Sequence, residues 1–148
     1  MVQKTVKIAD MAVLKDEGLL VTIGLGSCVG IALYDEAAKV GGLAHILLAD
    51  SKQFKNRDGG INEAKFADTA IPLLLKKMEK IGAKKNRVKA KIAGGSRLFS
   101  FQNNELSVGD RNVMTTRKVL KELGIPLVAE DVGGNYGRSM RFYVDSGQ

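Results

Sequence analysis

Cys28 and His45 are the only cysteine and the only histidine in this 148-residue chain. A thiol becomes a useful nucleophile when a base takes its proton, and the base works best when a third group orients its ring. Thr22, six residues before the cysteine, carries a hydroxyl able to orient the second imidazole nitrogen. A lone cysteine is otherwise a small buried hydrophobe. His45, set among Leu43, Ala44, Ile46 and Leu47, can equally be a satisfied core residue. What favours chemistry is local context. Cys28 follows Gly26-Ser27 where a strand begins, so backbone N–H groups of Ser27 or Cys28 are candidates to hold an oxyanion, with Gly26 in the same turn.

Other site chemistries fit less well. One cysteine and one histidine fall short of the three or four ligands that zinc takes unless carboxylates complete the set, so no metal is expected. Neither Ser27 nor Ser96 sits in a Gly-x-Ser-x-Gly elbow. Gly133-Gly134-Asn135-Tyr136-Gly137 lies between strands and opens no helix, so it does not match a dinucleotide-binding turn. No cofactor is expected.

The thiol and imidazole must be brought together by the elements that carry them. Leu19 to Leu25 alternates as a strand after Gly18, and Val29 to Asp35 alternates again. Asp35 to Lys39 is a polar turn, and Val40 to Leu48 reads as the returning strand of a hairpin. If Tyr34 pairs near Lys39 or Val40, Cys28 falls opposite His45 or Ile46. A slip of one residue would turn the two side chains to opposite faces.

Around this hairpin, Thr5 to Ala9 reads as a short strand and Met11 to Lys15 as an extended or turn segment. Ala49 to Ile61 reads as a mobile loop. Asn62 is expected to cap a helix reaching about Ile81, with Gly82 as its stop and a kink or restart at Pro72. Val88 to Ala93 reads as a strand, followed by a glycine turn at Gly94-Gly95-Ser96. Asp110 is expected to cap a second helix running to Leu123. Pro126 to Val132 and Ser139 to Val144 are expected to form a terminal hairpin. The whole reads as one α/β (α+β) domain of mostly antiparallel strands with two substantial helices.

The formal charge of +7 is concentrated rather than general. Between Lys76 and Lys91 stand eight basic residues and a single acid, Glu79, while the rest of the chain is balanced at fifteen of each sign. A solvated helix end explains this, and a docking patch for an acidic protein, centred on Lys84 and Lys85, is the next reading. Nucleic acid ranks last, because no aromatic residue interrupts the window. The Leu98, Phe99, Phe101 cluster is a second candidate contact surface. No apolar run reaches the roughly 20 residues of a membrane span, and the first residues lack the apolar core of a signal peptide. With one unpaired cysteine, a cytoplasmic location is expected.

The residues from Gly24 to Asp35 (GLGSCVGIALYD) resemble the chemoreceptor glutamine deamidases, the CheD family. So do Gly42 to Leu48 (GLAHILL), the Gly94-Gly95 turn, Gly109-Asp110-Arg111-Asn112, and Asp131 to Arg138 (DVGGNYGR). The resemblance runs from about Ile8 to Gly147. It implies Cys28 as nucleophile, His45 as base and Thr22 as the third member of a triad. It also implies deamidation of selected glutamines in methyl-accepting chemotaxis receptors, with methyl-ester hydrolysis at the same positions as a second activity. The implied fold is a sandwich of mixed β-sheets with helices packed outside, similar to bacterial toxin deamidases. The implied partner besides the receptors is the phosphatase CheC, which acts on the phosphorylated response regulator CheY. A non-catalytic adaptor that regulates such a phosphatase is the alternative.

Overall fold

The structure is a computed structural model describing residues 2–52, 60–97 and 107–148. The described chain holds eight strands and two α-helices, in the order β1 (Gln3–Thr5), β2 (Asp10–Lys15), β3 (Leu19–Leu25), β4 (Val29–Asp35), β5 (Val40–Ile46), α1 (Ala67–Glu79), β6 (Lys89–Gly94), α2 (Val108–Glu122), β7 (Leu127–Val132) and β8 (Arg138–Tyr143). They form a three-stranded sheet in the order β1-β3-β8 and a five-stranded sheet in the order β2-β5-β4-β6-β7. Two of the pairings, β1 with β3 and β6 with β7, are parallel; the others are antiparallel. The protein is therefore α+β with two mixed sheets.

The layers follow from which side chains β4 and β5 send each way. Val29, Ile31, Leu33, Ala44 and Ile46 join a core with α1 residues Ala70, Leu74 and Met78 and α2 residues Val113 and Leu120. Ala32 and Leu43, pointing the other way, pack with Leu20 and Phe142 of the smaller sheet. Every residue of β5 is buried because it is covered on both faces. Glycine makes this possible at two adjacent positions. A Cβ on Gly41 would strike Phe142 of the small sheet, and one on Gly42 would lie 2.7 Å from Leu74 of α1.

Several local expectations are corrected. The first strand is Gln3–Thr5 rather than 5–9, held in parallel against Leu19–Val21. Asn62 caps only a short 3-10 turn, Glu63–Lys65, and α1 starts afresh after Phe66. The restart thus comes before Pro72, which sits exposed inside an uninterrupted helix, where its missing N–H costs one bond near the helix start. Ser107, not Asp110, is the N-cap of α2; Asp110 is its partner in a capping box. The largest correction concerns the C-terminus. β7 and β8 do not pair: β7 lies parallel to β6 in the large sheet, and β8 lies antiparallel to β3 in the small one. The glycine loop between them crosses from one layer to the other. Arg138 fastens that crossing, donating to Asp131, Ser96 Oγ and the Gly133 carbonyl.

Candidate active site

The β4–β5 hairpin forms as expected, but its register is shifted: Tyr34 pairs with Gly41 rather than with Lys39 or Val40. Asp35 pairs with Val40 and Gly30 with His45. Cys28, just before β4, is therefore a diagonal rather than a direct neighbour of His45. The parity is preserved, so both project from the same face, toward the small sheet. Cys28 packs there with Leu25 and Ala93, with Leu47 and Met140 against them, and is only 6% exposed. Gly30 lies between the two in the register, and the space beside it is filled by Met140 and Leu25: a Cβ there would come within 3.0 Å of Met140 Sδ and 3.1 Å of Leu25 Cδ1.

His45 is wholly buried and meets Thr22 from the facing sheet, Oγ1 to Nδ1 at 2.7 Å. The same hydroxyl lies 2.6 Å from the Val6 carbonyl. A carbonyl can only accept, so the single hydroxyl proton goes to Val6. Thr22 must then accept from the ring, which places the histidine proton on Nδ1. Nε2 is left with a bare lone pair and, among the described residues, no hydrogen-bond partner. Strand β3 bulges between Thr22 and Leu25 and hands the chain directly to the Cys28 turn.

Burial sets the charges. It pushes the Cys28 thiol up, only partly offset by the residue's own backbone N–H. It pushes the His45 imidazole down. Both directions favour the uncharged forms at neutral pH, a protonated thiol and a neutral imidazole.

The turn bearing the cysteine is clamped from behind. The Gly26 carbonyl accepts from Ser96 N–H at 2.9 Å, and the Cys28 carbonyl accepts from Gly95 N–H at 2.8 Å. Asn112 Nδ2 of α2 donates to the Ser27 carbonyl at 2.8 Å and to the Leu47 carbonyl at 3.0 Å. A side chain at Gly94 would run into the Cys28 carbonyl. The Gly26 N–H is already engaged with Gly24, which removes it as an oxyanion donor. Among the described residues, no backbone carbonyl accepts from the N–H groups of Ser27 or Cys28. The sequence named Asn112 only within the Gly109–Asn112 stretch that resembles the CheD family, with no role at the site. Its signal was an amide on the inward face of α2, beside Val113 and Thr116.

The remaining candidates lie elsewhere. Lys84 and Lys85 stand at the far end of β4 from Cys28, where Lys84 N–H and Arg87 hold the buried Asp35 carboxylate. Seven residues of strand separate the two ends, roughly 20 Å. Phe101, with Leu98 and Phe99, lies outside the described residues.

The site thus holds a buried thiol, an imidazole nitrogen with no partner among the described residues, and two N–H groups that no backbone carbonyl takes there, the equipment that nucleophilic catalysis by a cysteine requires. A family model described as CheD chemotactic sensory transduction matches residues 47–148. A protein of Clostridium novyi named as a probable chemoreceptor glutamine deamidase CheD is 54% identical over 142 residues, covering 95% of this chain and 86% of that protein. One of the same name from Caldanaerobacter subterraneus is 51% identical over 145 residues, covering 97% and 88%. The chain belongs to the CheD family. Its fold is similar to a Neisseria meningitidis protein of the family DUF152, with a TM-score of 0.55 at 12% identity, over 92% of this chain and 64% of that one.

Proposed function

We propose that this protein is a chemoreceptor glutamine deamidase in which Cys28, His45 and Thr22 act together. The observation that carries the mechanism is the Thr22 hydroxyl between Val6 and His45, because it leaves Nε2 as a base on the face of Cys28. As the glutamine side chain enters, His45 Nε2 takes the thiol proton and the sulfur attacks the amide carbon. The carbonyl oxygen becomes an oxyanion facing the Cys28 turn. The intermediate collapses to a thioester, and the proton on Nε2 leaves with ammonia. Water then gives a proton to His45 and its hydroxyl to the thioester carbon; the proton returns to sulfur, and glutamate is released. One water is consumed and one ammonia formed. A glutamyl methyl ester would pass through the same thioester, releasing methanol.

The name borne by the relatives supports receptor glutamines as substrate. A receptor fragment followed by mass spectrometry tests the reading: the amide-to-acid change should vanish in Cys28→Ala, and its persistence would end the nucleophile assignment. Regulation through a CheC-type phosphatase is a second, compatible reading, favoured by the separation of the Lys84–Lys85 window from the cysteine. Charge reversal at both lysines should then weaken binding of that phosphatase. Unchanged affinity would move the contact elsewhere.

A further inference from the structure

Of the three successive carbonyls in the Gly26–Cys28 turn, two are held by backbone N–H groups and the middle one, Ser27, by the Asn112 side chain. In a planar trans peptide the carbonyl and the following N–H point in opposite directions. Fixing the Ser27 carbonyl toward α2 therefore fixes the Cys28 N–H away from it. Among the described residues, no backbone carbonyl accepts from that N–H, so it is free to receive the charge that an attacked carbonyl would develop.

Asn112 is well placed to set this direction. Gly109 brings the start of α2 against the glycine turn, since a Cβ there would strike the Ser96 carbonyl. Asn112 follows one turn later, fully buried. Both atoms facing its nitrogen are carbonyl oxygens, which settles the amide orientation and leaves Oδ1 without a partner among the described residues. Its second bond, to Leu47, ties the end of β5 that carries His45 to the same anchor.

We propose that Asn112 is a positioning residue for the reaction, holding the Ser27–Cys28 peptide so that the Cys28 N–H receives the oxyanion. This rests on the Cys28 nucleophile reading, and the test separates the two. Alkylation of Cys28 by iodoacetamide needs an accessible thiol and no oxyanion donor, whereas deamidation needs both. Asn112→Leu keeps the volume and removes the donor. It should lower kcat for deamidation about 10- to 100-fold, with KM and the alkylation rate within about threefold of wild type. Alkylation and deamidation falling together would reduce Asn112 to a structural role, and unchanged kcat would remove it altogether. Cys28→Ala that still deamidates would sink the nucleophile reading itself. Should Asn112→Leu fail to fold, the wild-type protein with a glutamine-derived peptide aldehyde gives an independent readout. The hemithioacetal oxygen should shift the Cys28 amide proton downfield in ¹H–¹⁵N spectra, and iodoacetamide should not. An adduct that forms without moving that proton overturns the proposal.

Discussion

Replacing Thr22 by Val isolates the hydroxyl, because the two side chains have nearly the same shape and Thr22 is fully buried. The substitution strips a partner from the Val6 carbonyl and from His45 Nδ1 at once. Leaving one buried polar group unpaired costs about 1–3 kcal/mol. The carbonyl cannot escape that cost, so stability should fall by about that amount, or about 2–10 °C in Tm for a chain of this size. The imidazole can escape by moving its proton to Nε2, which abolishes the base. A lost tautomer bias of about 1.4–2.8 kcal/mol corresponds to about 10- to 100-fold in the base-competent fraction, and kcat should fall accordingly. Ammonia release measures kcat, and ¹⁵N spectra report the tautomer without ambiguity because the chain has a single histidine. Thr22→Ser keeps the hydroxyl and should stay within about fivefold of wild type. A folded Thr22→Val protein with wild-type kcat and an Nδ1-protonated ring would refute the reasoning.

The pH profile should show a neutral resting pair. Alkylation of Cys28 should keep accelerating beyond pH about 8.5, and a plateau well below that value would show a thiolate the buried site does not support. The acid limb of kcat/KM should have its midpoint below about 6.5, following His45. Stability should also drop as pH falls below about 6.5, because the unfolded chain takes up a proton that buried His45 resists; denaturant melts at pH 7 and 5 would show it. Gly94→Ala should impair both stability and Cys28 chemistry, since Gly94 has φ +111° and its new Cβ would press on the Cys28 carbonyl. Wild-type deamidation kinetics in that variant would mean the Cys28 turn tolerates displacement. Ser107→Ala removes the N-cap of α2 and should cost about 1 kcal/mol, read as a Tm loss of about 2–4 °C. An unchanged Tm would show that the cap bond contributes nothing measurable.

Local patterning alone determined that the strands of Cys28 and His45 pair as a hairpin, two alternating runs joined by a short polar turn. It left the register open, and with it whether the two side chains share a face; the folded sheet decided that, pairing Tyr34 with Gly41 rather than with Lys39 or Val40. The same logic misassigned the C-terminal strands, because alternation does not say which partner a strand will find. Pro126 to Val144 looks like a hairpin in isolation; only the competing edges of β6 and β3 draw β7 and β8 into different sheets. The protonation of His45 was likewise undecided by sequence. It depends on the Val6 carbonyl reaching Thr22 across sixteen residues, and on burial that lowers the imidazole and raises the thiol. Asn112 is 85 residues from the carbonyl it holds at Ser27. Residue types marked Cys28 and His45 as the candidate nucleophile and base. The packing of two sheets and a helix around one glycine turn decided which atoms face the reaction, because side-chain periodicity fixes faces within a strand and only long-range contacts fix directions.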